Sequence, residues 1–373
     1  MHPYGFFFQS KSARFYALTL VWISCFLLLS GYFGVNTRPT LAMGQPTNDE
    51  PQENNLVYLP VTRKLSSNRL PIMTGVYPTD YWLPSIQERI NLEFHYLSDW
   101  AGKRLSIAGS FHSFEQYNSV DNLFIPVWNN GLTPFVNIYT SSSLVDINSG
   151  RLDREIRAWA QGFQRYANGG ERFAFLAPLQ EMNGDWVPYA GSPANFKAAY
   201  QRIRNIFAQE GVPDESVAWV FAPNGYSPRG YPPFEDFYPG DALVDVVGFS
   251  AYNFGYHPDN PYKKWQTPEQ VFGPYIVRMK AMAPSKPLFI AQTGTTAYTQ
   301  SGVNNSAKNA WLRSAYPYLA EQGVWAVIYY NDNPSYDFAF FSYGNYAFEG
   351  YREGVAHPAY GYLSPTEVKA AFR

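Results

Sequence analysis

One glutamate stands where an apolar run of the chain gives way to a polar cluster. The run covers residues 172–180, and Glu181, Asn183 and Trp186 come directly after it. A carboxyl group at the open end of a buried strand is partly desolvated, and it can then hold its proton near neutral pH and act as a general acid. The Asn183 amide could bind a ligand hydroxyl, and the Trp186 ring could stack on an apolar ligand face. The alternative is a solvated glutamate at a strand-to-loop turn.

The composition favours a neutral ligand with flat apolar faces. Aromatic residues make up 18% of the chain, with 30 Tyr, 28 Phe and 10 Trp. Most of these rings must fill the core, but their number also suits a site that stacks on sugars, whose C–H faces are apolar and whose rims are polar. The formal net charge is −2 and charged residues make up 16%, so no basic field would attract nucleic acid. Polyanionic partners are therefore disfavoured.

The elements that must position these groups follow an alternating pattern. From residue 71 onward, eight short apolar runs alternate with helical stretches. This pattern predicts a single α/β domain over residues 71–373, a (β/α)8 TIM barrel with strands buried on both faces. A doubly wound open sheet is the alternative, but no glycine-rich phosphate fingerprint follows the first strand. The predicted strands are 72–77, 105–110, 132–139, 172–180, 217–222, 243–251, 287–292 and 324–330, and the clearest helices are 84–100, 153–167, 195–209, 269–282 and 304–322.

In such a barrel, active residues lie at the carboxyl ends of the strands and in the loops that follow. Asp332 follows the eighth predicted strand. His112 ends the region of the second strand, where it would be either a sugar contact or a satisfied structural residue. These side chains are predicted to share one rim with Glu181.

The first 42 residues predict a signal peptide. Basic residues precede an apolar run over residues 15–35, and residues 40–42 offer a small-x-small cleavage site. Cleavage would give a secreted or periplasmic protein, whereas an uncleaved run of this length could anchor the chain in a membrane. Residues 43–70 are polar and predict a linker.

The segment around Glu181 resembles the acid/base motif of glycoside hydrolase family 26. Glu-Met-Asn-Gly-Asp-Trp at residues 181–186 is followed by Pro188-Tyr189, and the similarity extends over most of residues 70–345. Known members of this family are mostly β-mannanases, with some β-glucanases and xylanases, and they fold as (β/α)8 barrels. Further segments that carry the resemblance are Val217-Ala218-Trp219-Val220, Pro223-Asn224, residues 237–241, residues 244–248 and Tyr252-Asn253.

The resemblance implies an exported glycosidase whose partner is a polysaccharide or oligosaccharide, either β-mannan or a related β-glycan. Glu181 would be the proton donor and later the general base, and Tyr252 would lie beside the nucleophile and orient it. The rings of Trp186, Tyr189 and Tyr329 would contact the sugars, each with a core-packing role as the alternative.

Two positions depart from the family pattern. The family usually has His directly before the acid/base glutamate, and this chain has Gln180, whose amide can still donate and accept hydrogen bonds. In the segment that resembles the family's nucleophile motif, Gln292 replaces the glutamate. Retaining hydrolysis needs two carboxyl groups about 5–5.5 Å apart, and a glutamine cannot form the glycosyl ester. The standard retaining mechanism is therefore not expected.

Several alternatives follow from this substitution. Another carboxylate could serve, with Asp332 the best placed, and a base about 6.5–9.5 Å from Glu181 would imply inversion through an activated water. The substrate could instead supply its own nucleophile, as an acetamido group does in other families. Without either, the chain would be a non-catalytic carbohydrate-binding pseudoenzyme, and a rim used only for protein contacts is a third class. Further carboxylates expected near this rim are Asp185, Glu235 and Asp236.

The sequence predicts no cofactor and no metal. Its 5 histidines are scattered without a His-Glu-x-x-His run, and its single cysteine, Cys25, lies in the N-terminal apolar run. No Gly-x-Ser-x-Gly elbow and no phosphate-cradling loop occur, so neither esterase nor nucleotide chemistry is indicated.

Overall fold

The computed structural model of the chain describes residues 69–78, 85–333 and 335–373. The predicted signal peptide, its possible anchor at residues 15–35 and nearly all of the predicted linker lie outside these ranges. Among the described residues, no helix has both the length and the apolar character needed to cross a membrane.

Eight parallel strands close into a barrel in which each strand pairs with its sequence neighbours and the last pairs with the first. Every predicted strand is present, so the predicted (β/α)8 barrel is confirmed. The strands are β1 (Met73–Tyr77), β2 (Ile107–Ser113), β3 (Thr133–Tyr139), β4 (Ala174–Pro178), β5 (Val217–Phe221), β6 (Val246–Asn253), β7 (Leu288–Thr295) and β8 (Ala326–Tyr330).

Helices cover the outside of the barrel. The five predicted helical regions are all found, and in the first of them a π-helical segment, Ile90–His95, joins two α-helices. A 3-10 turn, Phe234–Phe237, stands between β5 and β6 where an α-helix would complete the repeat. The α-helices of the described chain are α1 (Ile86–Arg89), α2 (Tyr96–Ala101), α3 (Val120–Asn129), α4 (Leu144–Asn148), α5 (Asp153–Ala167), α6 (Pro193–Gln209), α7 (Pro268–Met282), α8 (Asn305–Glu321), α9 (Glu349–Val355) and α10 (Pro365–Phe372).

Three helices begin with one local signal, a hydroxyl cap followed by proline. Ser192, Thr267 and Ser364 precede α6, α7 and α10, and each side chain accepts a hydrogen bond from the backbone N–H three residues later. The hydroxyl satisfies a backbone donor that the first turn leaves unpaired, and proline at the first helical position needs no such partner. These caps set where the loops after β4 and β6 end.

The alternation of side chains along the strands divides the core into two layers. One face of each strand packs against the helices, and the other fills the barrel interior. At the amino ends of the strands, Phe372 of α10 packs against Phe175 and Phe289, with ring centroids 4.9 and 5.8 Å apart. The C-terminal helix thus closes the bottom of the barrel, and the carboxyl ends of the strands form its mouth.

Candidate active site

A cavity of about 500 Å³ opens at the mouth of the barrel. It brings together Gln180, Glu181 and Trp186 from the end of β4 with Tyr252 of β6 and Gln292 of β7. This volume is typical of small-molecule pockets, which span about 300–1,000 Å³. The remaining wall is largely aromatic and includes Phe111, Tyr139, Tyr226, Phe254, Tyr262, Tyr275, Tyr330, Tyr336 and Phe338.

The backbone at the end of β4 is bent to present Glu181. Leu179 and Glu181 both have left-handed conformations, with φ of 57° and 56°. A non-glycine residue pays a steric cost there, and such costs persist only where surrounding contacts impose them. The N–H of Leu179 donates to Ile138 O at 2.7 Å, and that of Glu181 donates to Ala222 O at 2.9 Å. Contacts to both neighbouring strands therefore hold the bend.

The Glu181 carboxylate accepts hydrogen bonds from two side-chain donors. Trp186 Nε1 donates to Oε2 at 2.8 Å, and Asn224 Nδ2 donates to Oε1 at 3.2 Å. Burial raises the pKa of Glu181, although its polar contacts with Ser250, Trp186 and Asn224 oppose that rise. A raised pKa suits a group that delivers a proton near neutral pH. Gly184 makes the Trp186 contact possible, because a Cβ there would lie 2.3 Å from the indole ring.

Asn183 supports the site from outside the cavity. Its side chain is fully buried, and its amide donates to Asn224 O at 2.8 Å and Ser227 Oγ at 2.9 Å. Its Oδ1 accepts from Asn224 N at 2.9 Å. The amide that was predicted to bind sugar thus makes its hydrogen bonds to the loop after β5. It positions Asn224, which in turn donates to Glu181.

A β-bulge in β7 turns Gln292 toward the cavity. Ile290 pairs with Phe249, but the next pair on that side is Gln292 with Ser250, so β7 contains one extra residue, Ala291. The pairing with β8 shifts at the same place. Regular alternation would send Gln292 outward with Ile290, and the bulge allows both Ala291 and Gln292 to face the barrel interior.

Tyr252 on the adjacent strand holds the Gln292 amide. Its hydroxyl donates to Gln292 Oε1 at 2.9 Å, and Gln292 is only 4% exposed. Burial, followed by the negative charge of Glu181, raises the pKa of Tyr252 well above its usual value. Tyr252 therefore stays protonated and remains a hydrogen-bond donor. The predicted orienting contact between these two positions is present, with an amide in place of a carboxylate.

Gln180 also lies in the cavity, as its position before Glu181 predicted. Its side chain is 6% exposed, and its Oε1 finds no hydrogen-bond partner among the described residues. A buried carbonyl oxygen without a partner carries a desolvation cost, which a donor on a ligand could offset.

Two of the predicted ring contacts pack in the core instead. Tyr189 is fully buried, and its hydroxyl donates to Gln180 O at 3.1 Å. Tyr329 is fully buried between β8 and the helices, where its hydroxyl donates to Phe338 O at 2.9 Å. Neither lines the cavity, whereas Tyr330, the next residue, does.

His112 is also outside the cavity. Trp159 Nε1 donates to its Nδ1 at 2.8 Å, and its Nε2 lies 3.2 Å from Ser119 Oγ. Burial lowers the pKa of His112 to about 4, so the ring is neutral and bridges β2 to the helix layer. Of the two roles considered for His112, its contacts match that of a satisfied structural residue and not that of a sugar contact.

Glu181 is the sole carboxyl group among the residues that line the described cavity. Asp332 follows β8, where its Oδ1 accepts from Asn333 N at 2.8 Å, and it is not part of the lining. Glu235 forms a two-pronged ion pair with Arg278, with both contacts at 2.6 Å. Within the described ranges, no three His, Cys, Asp or Glu side chains come together as metal ligands.

Comparison with known proteins identifies the family. The model of "Glycosyl hydrolase family 26" matches residues 125–315, about half of the chain. The chain belongs to glycosyl hydrolase family 26. Endoglucanase H of Acetivibrio thermocellus is 26% identical over 301 residues, which are 78% of this chain and 30% of that protein. Mannan endo-1,4-beta-mannosidase of Bacillus subtilis strain 168 is 32% identical over 116 residues, 28% of this chain and 30% of the relative. The family 26 chain therefore spans less than a third of the length of these curated relatives.

Solved structures agree with the fold of this family 26 chain. The GH26C structure from Muricauda sp. MAR_2010_75 aligns with a TM-score of 0.59 at 14% identity, covering 81% of this chain and 90% of that one. A GH26 β-mannanase from Bacteroides ovatus aligns with a TM-score of 0.56 at 12% identity, covering 82% and 93%. At these identities the likeness concerns the barrel alone.

The family 26 barrel has further site residues that sequence reasoning did not single out. Asn224, directly after β5, contacts Glu181. In sequence it stood only within a segment that carries the family resemblance, without a role, and its place at a strand end was a further signal. Tyr336 and Phe338 enter the cavity from the long loop after β8, which has no periodic pattern. Lys308 of α8, only 1% exposed, holds this loop through Asp337 O and through Ala339 O at 3.0 Å.

Proposed function

We propose that the chain is a polysaccharide-active glycosidase in which Glu181 is the acid/base residue. The observation that carries this proposal is the partly buried Glu181 carboxyl, held by Trp186 and Asn224 inside an aromatic cavity at the barrel mouth. Its raised pKa favours the protonated form, which can donate to the leaving glycosidic oxygen. Once the proton is gone, the same two donors stabilise the carboxylate, which can then take a proton from water.

The proposed substrate class is β-mannan or a related β-glycan. Two matched relatives are named an endoglucanase and a mannan endo-1,4-beta-mannosidase, which supports a β-linked polysaccharide. The aromatic lining supports sugar stacking, because rings such as Trp186 and Tyr330 present apolar faces with polar edges. Lys264 is the one cationic side chain among the lining residues described, so a polyanionic chain is disfavoured.

A carbohydrate-binding pseudoenzyme is the second candidate. It is favoured by one observation: Gln292 occupies the cavity wall where retaining hydrolysis would need a second carboxylate. An amide in that place keeps shape and hydrogen bonding, so binding could persist without turnover.

A paired assay separates the two candidates. Wild type, Glu181→Gln and Gln292→Glu are offered soluble mannan, mixed-linkage glucan, xylan and partially N-acetylated chitosan, and both new reducing ends and binding are measured. Cleavage of any of these glycans that Glu181→Gln abolishes supports the glycosidase. Binding without cleavage, together with cleavage by Gln292→Glu, would establish the pseudoenzyme instead.

We also propose export, directed by residues 1–42. The support is the apolar run at residues 15–35 with basic residues before it and a small-residue site after it. Cell fractionation and the mass of the mature N-terminus test this: a soluble exported product starting near residue 43 indicates cleavage, and a membrane-bound full-length product indicates an anchor. A full-length product confined to the cytoplasm would contradict export.

A further inference from the structure

The cavity poses a chemical problem for hydrolysis, because its described lining offers an acid but no enzymatic nucleophile. Glu181 is the sole carboxyl group among those lining residues, and Gln292 of β7, in the same lining, carries a neutral amide. A water attacking directly would need a second carboxylate as its base, and retention would need one as nucleophile. Turnover with this lining requires a nucleophile from elsewhere.

We propose that the substrate supplies it, as the 2-acetamido group of a β-linked N-acetylated sugar. This inference rests on the proposed glycosidase function. Within the proposed class of β-mannan and related β-glycans, it selects a related β-glycan that carries a 2-acetamido group and excludes β-mannan itself. The acetamido oxygen must approach the anomeric carbon from the side opposite the leaving group. It must therefore be trans to a β-linkage, as in N-acetylglucosamine, while the cis C2 substituent of a β-mannoside cannot reach that side.

The pair Tyr252 and Gln292 suits the acetamido N–H. The Tyr252 hydroxyl donates to Gln292 Oε1 at 2.9 Å, which fixes the oxygen end of the amide toward β6. A carbonyl oxygen has two lone pairs, so Oε1 can accept a second hydrogen bond from the substrate N–H. That bond would orient the acetamido oxygen for attack and stabilise the positive charge that develops on nitrogen.

The wall behind this pair is apolar and suits the acetamido methyl group. The Tyr252 ring stacks on Phe338 with centroids 5.2 Å apart and an interplanar angle of 15°. Phe254 lies 5.4 Å from the Tyr252 ring and also lines the cavity. A methyl group gains by leaving water for such a surface, whereas the hydroxyl of a 2-hydroxy sugar would need a polar partner.

The reaction balances without any further reactant than water. The acetamido carbonyl oxygen bonds to the anomeric carbon as the glycosidic C–O bond breaks, and the leaving oxygen takes the Glu181 proton. The product is a cyclic oxazolinium whose N–H donates to Gln292 Oε1. Water then attacks the anomeric carbon and gives its proton to the Glu181 carboxylate, while the ring C–O bond breaks and restores the acetamide. Two displacements leave the anomeric configuration unchanged.

The test compares three β-1,4-linked pentasaccharides. They are the pentamer of N-acetylglucosamine, the fully deacetylated form of that pentamer, and the pentamer of mannose. Wild type is expected to cleave the acetylated pentamer with retained β configuration by NMR, and to leave the other two intact. A thiazoline analogue of N-acetylglucosamine, which imitates the cyclic intermediate, should inhibit competitively. Gln292→Ala should lower kcat by about 10²-fold or more with a small change in KM, since it removes a transition-state contact.

Matched variants control for misfolding and for a carboxylate that acts from another strand end. Melting curves of Gln292→Ala, and of Gln292→Glu with its nearly unchanged side-chain shape, are compared with that of wild type. A wild-type melting curve for Gln292→Ala shows that its loss of activity comes from chemistry. Asp332→Asn and Asp80→Asn remove carboxylates near the ends of β8 and β1 in sequence; Asp80 lies outside the described residues. Both are expected to keep cleavage of the acetylated pentamer within a few-fold.

Each contrary result has a distinct meaning. Cleavage of the mannose or deacetylated pentamer by wild type, inversion of configuration, or loss of cleavage in Asp332→Asn or Asp80→Asn would overturn the acetamido mechanism and leave the glycosidase proposal standing. If wild type cleaves none of the pentamers and none of the polysaccharides in the paired assay, the glycosidase proposal fails with it.

Discussion

The ends of β4 and β7 are built alike and differ in one functional group. Each strand end departs from regular geometry, through the left-handed Leu179 and Glu181 after β4 and through a bulge before Gln292. At each, an aromatic side chain donates a hydrogen bond to a side-chain oxygen, from Trp186 at 2.8 Å and from Tyr252 at 2.9 Å. One oxygen belongs to a carboxyl group and the other to an amide.

The difference concerns charge and leaves hydrogen bonding in place. Two buried carboxylates in one cavity would repel each other, and a neutral Gln292 removes that repulsion and also removes the nucleophile. The Gln292 oxygen is still presented to the cavity by the bulge and by Tyr252. The β4 end is thus suited to move a proton, and the β7 end is suited to accept a hydrogen bond from a ligand.

The largest effect on activity is expected from removing the proton donor at the end of β4. Glu181→Gln keeps the shape of the side chain but removes the proton donor, so we expect kcat/KM to fall about 10³-fold, as for loss of a general acid. Steady-state cleavage of the preferred glycan measures this, and binding of that glycan by calorimetry should change little. A loss of tenfold or less would show that another group delivers the proton.

The next effect tests the β7 side. Tyr252→Phe removes the hydroxyl that fixes the Gln292 amide but keeps the ring that packs on Phe338. Losing one such hydrogen bond corresponds to about a tenfold loss in kcat. The basic limb of the pH profile should stay in place, because Glu181 keeps both of its donors. A displaced limb would mean that Tyr252 acts on the acid instead.

Most of the fold could be predicted from the sequence, as could the two residues Glu181 and Gln292, but not the backbone features that present them. Eight apolar runs of strand length between helical stretches predicted the barrel, since parallel strands are buried on both faces. Glu181 was found because barrel chemistry lies at strand ends, and Gln292 because its segment resembles the family's nucleophile motif. The short α4 and α9 were not predicted, nor was α3, which has only 10 residues and carries Pro126 in its interior.

Strand alternation explains the residues that were misplaced. In β8, Ala326, Ile328 and Tyr330 face the barrel interior, so Tyr329 must face the helices. Applied strictly, that rule would have chosen Tyr330 as the ring at the cavity. The same rule would have sent Gln292 outward, since the bulge at Ala291 depends on pairing with two neighbouring strands. Local pattern cannot reveal a feature that tertiary pairing creates.

A smaller effect sharpens the role of Trp186. Trp186→Phe keeps an aromatic ring but removes the Nε1 donor to Glu181 Oε2. This donor favours the charged carboxylate and lowers the pKa of Glu181, so its loss raises that pKa. The basic limb of kcat/KM should then move to higher pH, with activity near neutral pH changed less than about tenfold. An unmoved limb, with Tyr252→Phe as the matched comparison, would exclude the contact as a tuning device.

The smallest effect on activity is expected for His112, which should change the pH dependence of stability but not that of catalysis. His112 has a pKa of about 4 in the folded chain against 6.5 for an unperturbed histidine, so between these values the unfolded chain binds the extra proton. The free energy of unfolding should therefore fall as pH drops from 6.5 to 4, by up to about 3 kcal/mol from this residue. His112→Asn offers Trp159 an acceptor that does not titrate, so urea unfolding at several pH values should show a shallower slope while activity at pH 7 is retained. If the slope of the unfolding free energy against pH is unchanged in His112→Asn, other groups cause the acid sensitivity. If the acid limb of the activity profile shifts in this variant together with that slope, the limb reports unfolding and not the chemistry at Glu181.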